Sequence, residues 1–208
     1  MTASPVLVFG AGGHGRVVAE AIQSSGTRVE GFIDDGLAAG TLVLDLPVLG
    51  PASWLARQPP RVVALALGDN RRREEVAARL KEQGHLLGTF FHATSWISPS
   101  AKVDEGTIAM ARVVVNADAR VGRGVILNTG CIVEHECVVG DFVHLSPSAT
   151  LGGRARIGDR SHIGLGASVI HLGEVGSDCV VGAGSTVIKG RIADGLTVVG
   201  VPARPMRR

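Results

Sequence analysis

From Ile97 onward an aliphatic residue recurs at every sixth position, through Val103, Ala109 and Val115 to Val187, Ala193 and Val199, with no break in the register. That spacing is neither the 3.6 of a helix face nor the simple alternation of a long strand. The companion positions sharpen it. Four residues after the aliphatic one comes a small one, as at Thr107, Ala119, Cys131, Ala149, Ser161 and Thr197. The residue directly after the aliphatic one is often Gly, Asn or Asp, as at Asp104, Asn116, Gly122 and Gly158. These types tolerate positive φ at a tight corner. One large and one small inward residue per six describes a parallel β-helix of triangular section. Each hexad makes a short strand and a corner, and three hexads make a turn. Each strand pairs with those one turn above and below, about 4.8 Å away. Eighteen hexads predict six turns over residues 92–208.

Residues 1–91 follow another pattern. "PVLVFGAGGHGRVVAEAIQSSG" reads as a buried strand over Val6 to Phe9, a glycine loop and a helix. "RVEGFIDD" reads as a second strand ending in two aspartates, "RVVALALGDN" as a third, and "RRREEVAARLKEQG" as a helix closed by Gly84. Strands alternating with helices predict a small Rossmann-like parallel sheet. Gly10, Gly12 and Gly15 match GxGxxG between a strand and a helix, and Asp34 follows at the next strand end. In that context the loop of Gly12, Gly13, His14 and Gly15 can bring backbone against a pyrophosphate at the helix N-terminus, and Asp34 or Asp35 can bind a ribose or a base. About ninety residues make only half of a dinucleotide fold, so NAD would leave its second half unhoused. A nucleoside-diphosphate sugar fits better. Asn70 and Arg73 fall at the end of the third strand, where such sheets bind ligands, with Arg73 placed to reach a phosphate.

The candidate chemistry lies in "GCIVEHECVVGDFVHLSPSATLGG", where His135 stands between Glu134 and Glu136 and His144 follows nine residues on. A histidine near neutral pKa can take a proton, and an adjacent carboxylate can fix its tautomer. His144 and His162 share a hexad position one turn apart, as do His135 and His171 two turns apart, so each pair should stack on one side. The three cysteines, Cys131, Cys137 and Cys179, all fall on the small inward position and read as core. The four coil histidines lack the close pair of a zinc enzyme, so no metal is expected.

Composition narrows the class. With 29 glycines, no tyrosine and 3% aromatics, the core is built of Val, Ile, Leu and Ala. A net charge of +2 gives no footprint for nucleic acid, and the basic end "PARPMRR" reads as a solvated tail. No apolar run reaches membrane-span length and the start lacks a signal-peptide pattern. Three cysteines without CxxC spacing suit a reducing compartment, so a cytoplasmic protein is expected.

"GAGGHGRVV", "FIDD", "GDNRRR", "HATSWISPSAKV", the His135 stretch and "VVGVPARP" together resemble the sialic-acid O-acetyltransferase-like bacterial sugar acetyltransferases. Within that family they look most like the N-acetyltransferases of nucleotide-linked 4-amino-4,6-dideoxy sugars, of the bacillosamine and perosamine type. The resemblance implies a left-handed β-helix, a homotrimer with active sites between subunits, and acetyl-CoA as acetyl donor to a nucleotide-linked amino sugar. It implies His135 as catalytic base, Glu136 as its orienting carboxylate, and His144 near the acetyl group. Gly153, His162, Gly182 and Pro202 border the coenzyme in that reading. The resemblance implies that Gly12, Gly13, His14 and Gly15 with Asp34 and Asp35 bind the nucleotide sugar, and the strand-end position adds Asn70 and Arg73 to that expected site. Sugar O-acetylation and a non-catalytic nucleotide-binding scaffold are the alternatives, and Glu134 competes with Glu136.

Overall fold

In the computed structural model, which describes residues 5–188 and 190–206, the N-terminal pattern becomes a six-stranded sheet. Its strands are β1 (Val6–Phe9), β2 (Val29–Ile33), β3 (Leu42–Val43), β4 (Leu46–Gly50), β5 (Val62–Leu65) and β6 (Leu86–Leu87). The order is β3-β4-β2-β1-β5-β6, parallel except for the β3–β4 hairpin. All four residues of β1 are buried, as a central parallel strand requires. Helix α1 (Gly13–Ser24) buries Val18, Ala19, Ala21 and Ile22, and α2 (Ala52–Leu55) is a single turn. Helix α3 (Asn70–Glu82) starts at Asp69, whose side chain accepts from the Arg72 N–H at 2.8 Å, and Gly84 ends it at φ +82°. The hairpin, α2 and β6 are additions to the sequence reading, because elements of two to five residues with Pro47 among them carry little periodicity.

The hexads form three flat faces joined at corners. Strands one turn apart pair in parallel with an 18-residue register. The first face runs through Ile108, Ile126, His144 and His162, the second through Val114, Ile132 and Thr150, and the third through Arg120, Val138 and Arg156. Inward Leu127, Val133, Leu145 and Leu151 are fully buried, as are the small Ala119, Cys131, Ala149 and Ser161. The stack begins at Phe90–Phe91, which pairs with Ile108–Ala109, one hexad before Ile97. The N-terminal domain lies on the first face, with α1 against Phe90–Phe91 and Ile108 and Ile126 only 1% exposed.

Two expectations are corrected. After Val187 the register slips by one. Val175 pairs with Ile192 and Val181 with Val198, so these two point inward rather than Ala193 and Val199. Val199 is 40% exposed. The second correction concerns the glycines that follow the aliphatic residue, from Gly122 to Gly182, which do not supply the left-handed turn. That conformation sits three steps after the aliphatic residue, at Arg112, Asp118, Glu136, Ser148, Arg154 and Asp178 among others. At Gly122 a Cβ would stand 2.9 Å from the Asp141 nitrogen, and at Gly158 2.5 Å from the Ser177 nitrogen. Successive coils touch there, and only a residue without a side chain fits. Of the basic tail, residues 207 and 208 lie outside the described residues.

Candidate active site

His135 and Glu136 form the corner between the second and third faces, between strands Ile132–Val133 and Val138–Val139. Glu136 takes the left-handed conformation of that corner, with φ +59°. An extended strand would send neighbouring side chains to opposite sides. Here the turn folds the carboxylate back, and Glu136 Oε2 lies 3.0 Å from His135 Nδ1. Arg154, at the same corner one coil on, donates through Nε to the same oxygen at 3.0 Å. The hydrogen bonds from Arg154 and then His135 hold the Glu136 carboxyl below its ordinary range. It stays ionised and can orient an imidazole that carries its proton on Nδ1, leaving the lone pair on Nε2. Glu134 is engaged elsewhere, accepting from Asn116 Nδ2 at 3.0 Å, so Glu136 is the carboxylate in contact with the His135 ring.

Gly153 sits one coil below His135. A Cβ there would stand 2.5 Å from His135 Nε2, so the missing side chain makes the space the ring occupies. His171, one coil further, tilts toward the base with ring centroids 6.5 Å apart. Both members of the His135–Glu136 pair are about half exposed, at 51% and 43% of their side chains.

A second group lies on the first face, under the N-terminal domain. His144 and His162 stack at 4.7 Å with 1° between planes, and the His14 ring, from the start of α1, is 6.3 Å from that of His144. His162 Nε2 meets the Ser146 hydroxyl at 2.7 Å and His144 Nε2 meets Asn128 Nδ2 at 3.2 Å. His144 Nδ1 and His14 Nε2 are buried without a protein partner. Burial, then the neighbouring His162, Arg73 and His14, lower the His144 pKa to about 3. Burial and then Arg73 lower that of His14 to about 4. Both imidazoles are neutral near pH 7. His162 also faces a cavity of about 250 Å³ past the end of β5, lined by Gly68, Asp69, Asn70 and Arg71 on one side and Arg160, His162 and Asp178 on the other.

The glycine loop has the form the sequence suggests. Gly10 has φ +107°, and a Cβ on Gly15 would lie 2.0 Å from the Gly10 carbonyl oxygen, so helix and strand meet too closely for any side chain. Around Gly12 and Gly13 there is open space, and α1 begins without a side-chain cap. Asp34 Oδ2 accepts from the Ala11 N–H at 2.8 Å and Oδ1 from Gly36 N–H, fixing the loop. Asp35 caps α2 through Ala52 N–H.

Two nucleotide-site expectations change. Arg73 is fully buried and its N–H groups go to Leu67, Gly124, Phe142 and neighbouring carbonyls and to Asn70 Oδ1, leaving none for a phosphate. Asn70 Nδ2 donates to the carbonyls of Arg160 and Ser161. Both join the two domains. The burial of Arg73 had a sequence signal, since it shares a helix face with Val76, Ala77 and Leu80. Arg154 is a further residue of the site, and its sequence signal is its place one 18-residue turn from Glu136.

The residues expected around the coenzyme are not all brought together within one chain, although His144 and His162 stack and Gly182 follows the strand paired with that of His162. Gly153 lies at the His135 corner, His144 and His162 on the first face, and Gly182 and the exposed Pro202 at the last coils. Among the described residues no group of three or more His, Cys, Asp or Glu side chains converges on a metal position. No helix of the described residues is long and apolar enough to cross a membrane.

Comparison with known proteins agrees with this layout. Residues 5–80 match the family model of the PglD N-terminal domain. UDP-N-acetylbacillosamine N-acetyltransferase of Bacillus subtilis (strain 168) is 37% identical over 118 residues, a stretch covering 51% of each chain, so the match spans about half the length of that relative. A variant of perosamine N-acetyltransferase from Caulobacter crescentus, solved with CoA and GDP-perosamine, superposes with a TM-score of 0.95 at 33% identity, covering 99% of this chain and 98% of that one. The acetyltransferase domain of PglB from Neisseria gonorrhoeae FA1090, solved with acetyl coenzyme A, gives 0.92 at 40% identity, covering 97% and 98%.

Proposed function

Because the chain belongs to the left-handed β-helix sugar N-acetyltransferase family of these perosamine and PglB enzymes, we propose that it transfers acetyl from acetyl-CoA to the 4-amino group of a nucleotide-linked 4-amino-4,6-dideoxy sugar. The observation that carries the reading is the His135–Glu136 pair, with its free Nε2 over the space at Gly153. In the reaction the neutral amine attacks the thioester carbonyl and Nε2 takes the proton that the amine loses. The ionised Glu136, anchored by Arg154, stabilises the imidazolium as it forms. The C–S bond then breaks, the His135 imidazolium returns that proton to the leaving sulfur, and CoA leaves as its thiol. The nucleotide lies at the open start of α1 and near Asp34, and the sugar extends toward the first-face histidines.

This reading makes the working unit a homotrimer. His135 stands at the corner opposite the face that carries His144 and His162, so the width of the prism separates them within one chain. A neighbouring copy brings its first face to that corner. The second face suits such contact, with Trp96, Val114, Ile132 and Thr150 all uncharged on its outside. The third carries Lys102, Arg120, Arg156 and Glu174. We place the enzyme in the cytoplasm, where acetyl-CoA and nucleotide sugars occur together.

The test is release of CoA thiol from acetyl-CoA with UDP-, GDP- and dTDP-linked 4-amino sugars beside sialic acid. Rapid turnover with one nucleotide amino sugar and none with sialic acid is expected. Turnover with hydroxyl acceptors alone would move the function to O-acetylation.

A further inference from the structure

We propose that Arg73 is a positioning residue for the transfer, one that holds the loop after β5 and the coil segment just before His144 as a single unit across the domain junction. The proposal rests on the acetyl-transfer reading above. Arg73 is 0% exposed and lies on the buried side of α3. Its Nε donates to the Gly124 carbonyl at 2.7 Å. Nη1 donates to Leu67 at 2.8 Å and Gly68 at 3.4 Å, and Nη2 to Asn70 Oδ1 and the Phe142 carbonyl, both at 2.8 Å, and to Val143 at 3.3 Å. One end of the guanidinium therefore grips the loop that rims the cavity. The other grips the two residues that precede His144 in the chain. Through Asn70, whose amide donates to the carbonyls of Arg160 and Ser161, the same fork also seats the strand of His162.

Arginine supplies what no smaller residue can: N–H donors fixed in one plane and aimed in several directions. The cost is a buried cation without a bonded carboxylate, and burial lowers the Arg73 pKa to about 10, with Asp69 the charge that opposes the shift. A neutral core residue would pack there without that cost, so the cation is retained for geometry and charge. The charge faces His14 from α1 and His144 and His162 from the first face, and it disfavours their protonation. Asp69 at the helix cap, Arg71 and Glu74 on its own helix, and Arg160 and Asp178 across the cavity are further charged groups at this junction. Burial is the larger cause of the lowered His14 and His144 pKa values, and the Arg73 charge adds to it.

The experiment compares Arg73→Met, Arg73→Lys and, as a control, Lys81→Met, which removes the exposed Lys81–Glu105 pair at another point of the same junction. Thermal unfolding, kcat and KM from thiol release, and titration of ¹⁵N-labelled imidazoles by NMR are read for each. In Arg73→Met, kcat should fall by about 10- to 100-fold, the scale of a small misplacement of reacting groups, with the KM for acetyl-CoA within about threefold. The titration midpoints of His14 and His144 should move up. Arg73→Lys, which keeps the charge and loses the fork, should leave those midpoints low and still lose kcat. Lys81→Met should match the parent. Folded Arg73 variants with kcat within about threefold of the parent would overturn the proposal. So would unmoved midpoints in Arg73→Met, or a Lys81→Met loss equal to that of Arg73→Met. Should Arg73→Met fail to fold, Arg73→Lys carries the kcat test. If acetyl transfer itself is the wrong reading, parent and variants alike release no thiol, and the imidazole titration still reports on Arg73.

Discussion

At the scale of single residues, the corner conformation of Glu136 does what sequence adjacency alone cannot. Neighbours in a strand point apart, and the left-handed turn brings this pair to 3.0 Å. Replacing His135 by Ala removes the base and should lower kcat by about 10²- to 10⁴-fold with little change in melting temperature. Glu136→Gln keeps a hydrogen-bond acceptor but loses the charge. It should cost at least about tenfold in kcat, by the logic that a carboxylate stabilises the imidazolium. Gly153→Ala probes the base without touching it. The new methyl group would stand 2.5 Å from Nε2, so the ring must move and kcat must fall while the fold persists. A Gly153→Ala enzyme with parental kcat would show that the ring does not need this place.

At the scale of the repeat element, two kinds of glycine carry different constraints. Gly166 sits at a corner with φ +60° and nothing within 4 Å of a Cβ, whereas Gly158 faces backbone at 2.5 Å. Asp118 and Ser148 occupy the left-handed corner elsewhere, so Gly166→Asn should cost about 1 kcal/mol or less. Gly158→Ala must push neighbouring coils apart and should cost about 1–3 kcal/mol, the range of overpacking. Denaturant midpoints of the two variants check the ranking, and equal losses would argue that coil contact is not what selects glycine there. The slip after Val187 belongs to the same scale. A hydrophobic repeat records which residues suit the inside, and Ala193 and Val199 suit it as well as Ile192 and Val198. Strand pairing decides between them.

At the scale of the whole molecule, burial sets a pH dependence. His14 and His144 titrate at about 4 and about 3 in the folded chain, against 6.5 when exposed. As pH falls below 6.5 the unfolded chain takes up protons that the folded chain refuses. Stability is therefore full above about pH 6.5 and is lost progressively as pH falls through the range between 6.5 and the folded-state values. Urea unfolding at pH 7.5, 6.5 and 5.5 should show the decline, and His14→Gln with His144→Gln should flatten it. A level profile down to pH 5.5 would show that these rings are open to water. Assembly gives a second test. With sites between subunits, mixing inactive His135→Ala and His144→Ala chains under exchange conditions should recover some of the activity. No recovery would place both residues in one subunit's site.

The hexad period determined the β-helix, because an inward residue every sixth position has few other ways to be buried. The strand–glycine loop–helix run determined the start of the parallel sheet in the same way. The His135–Glu136 pair was legible from adjacency, and the stack of His144 on His162 from their 18-residue separation. What the sequence left open depended on contacts between distant segments. The contact of Glu136 rather than Glu134 with His135, the anchoring by Arg154, the inward register of Ile192 and the burial of Arg73 all depend on which groups find a partner once the coils stack and the domains meet. An arginine reads as a surface cation until its N–H groups are seen to satisfy carbonyls from both sides of a junction, and only the tertiary structure supplies those carbonyls.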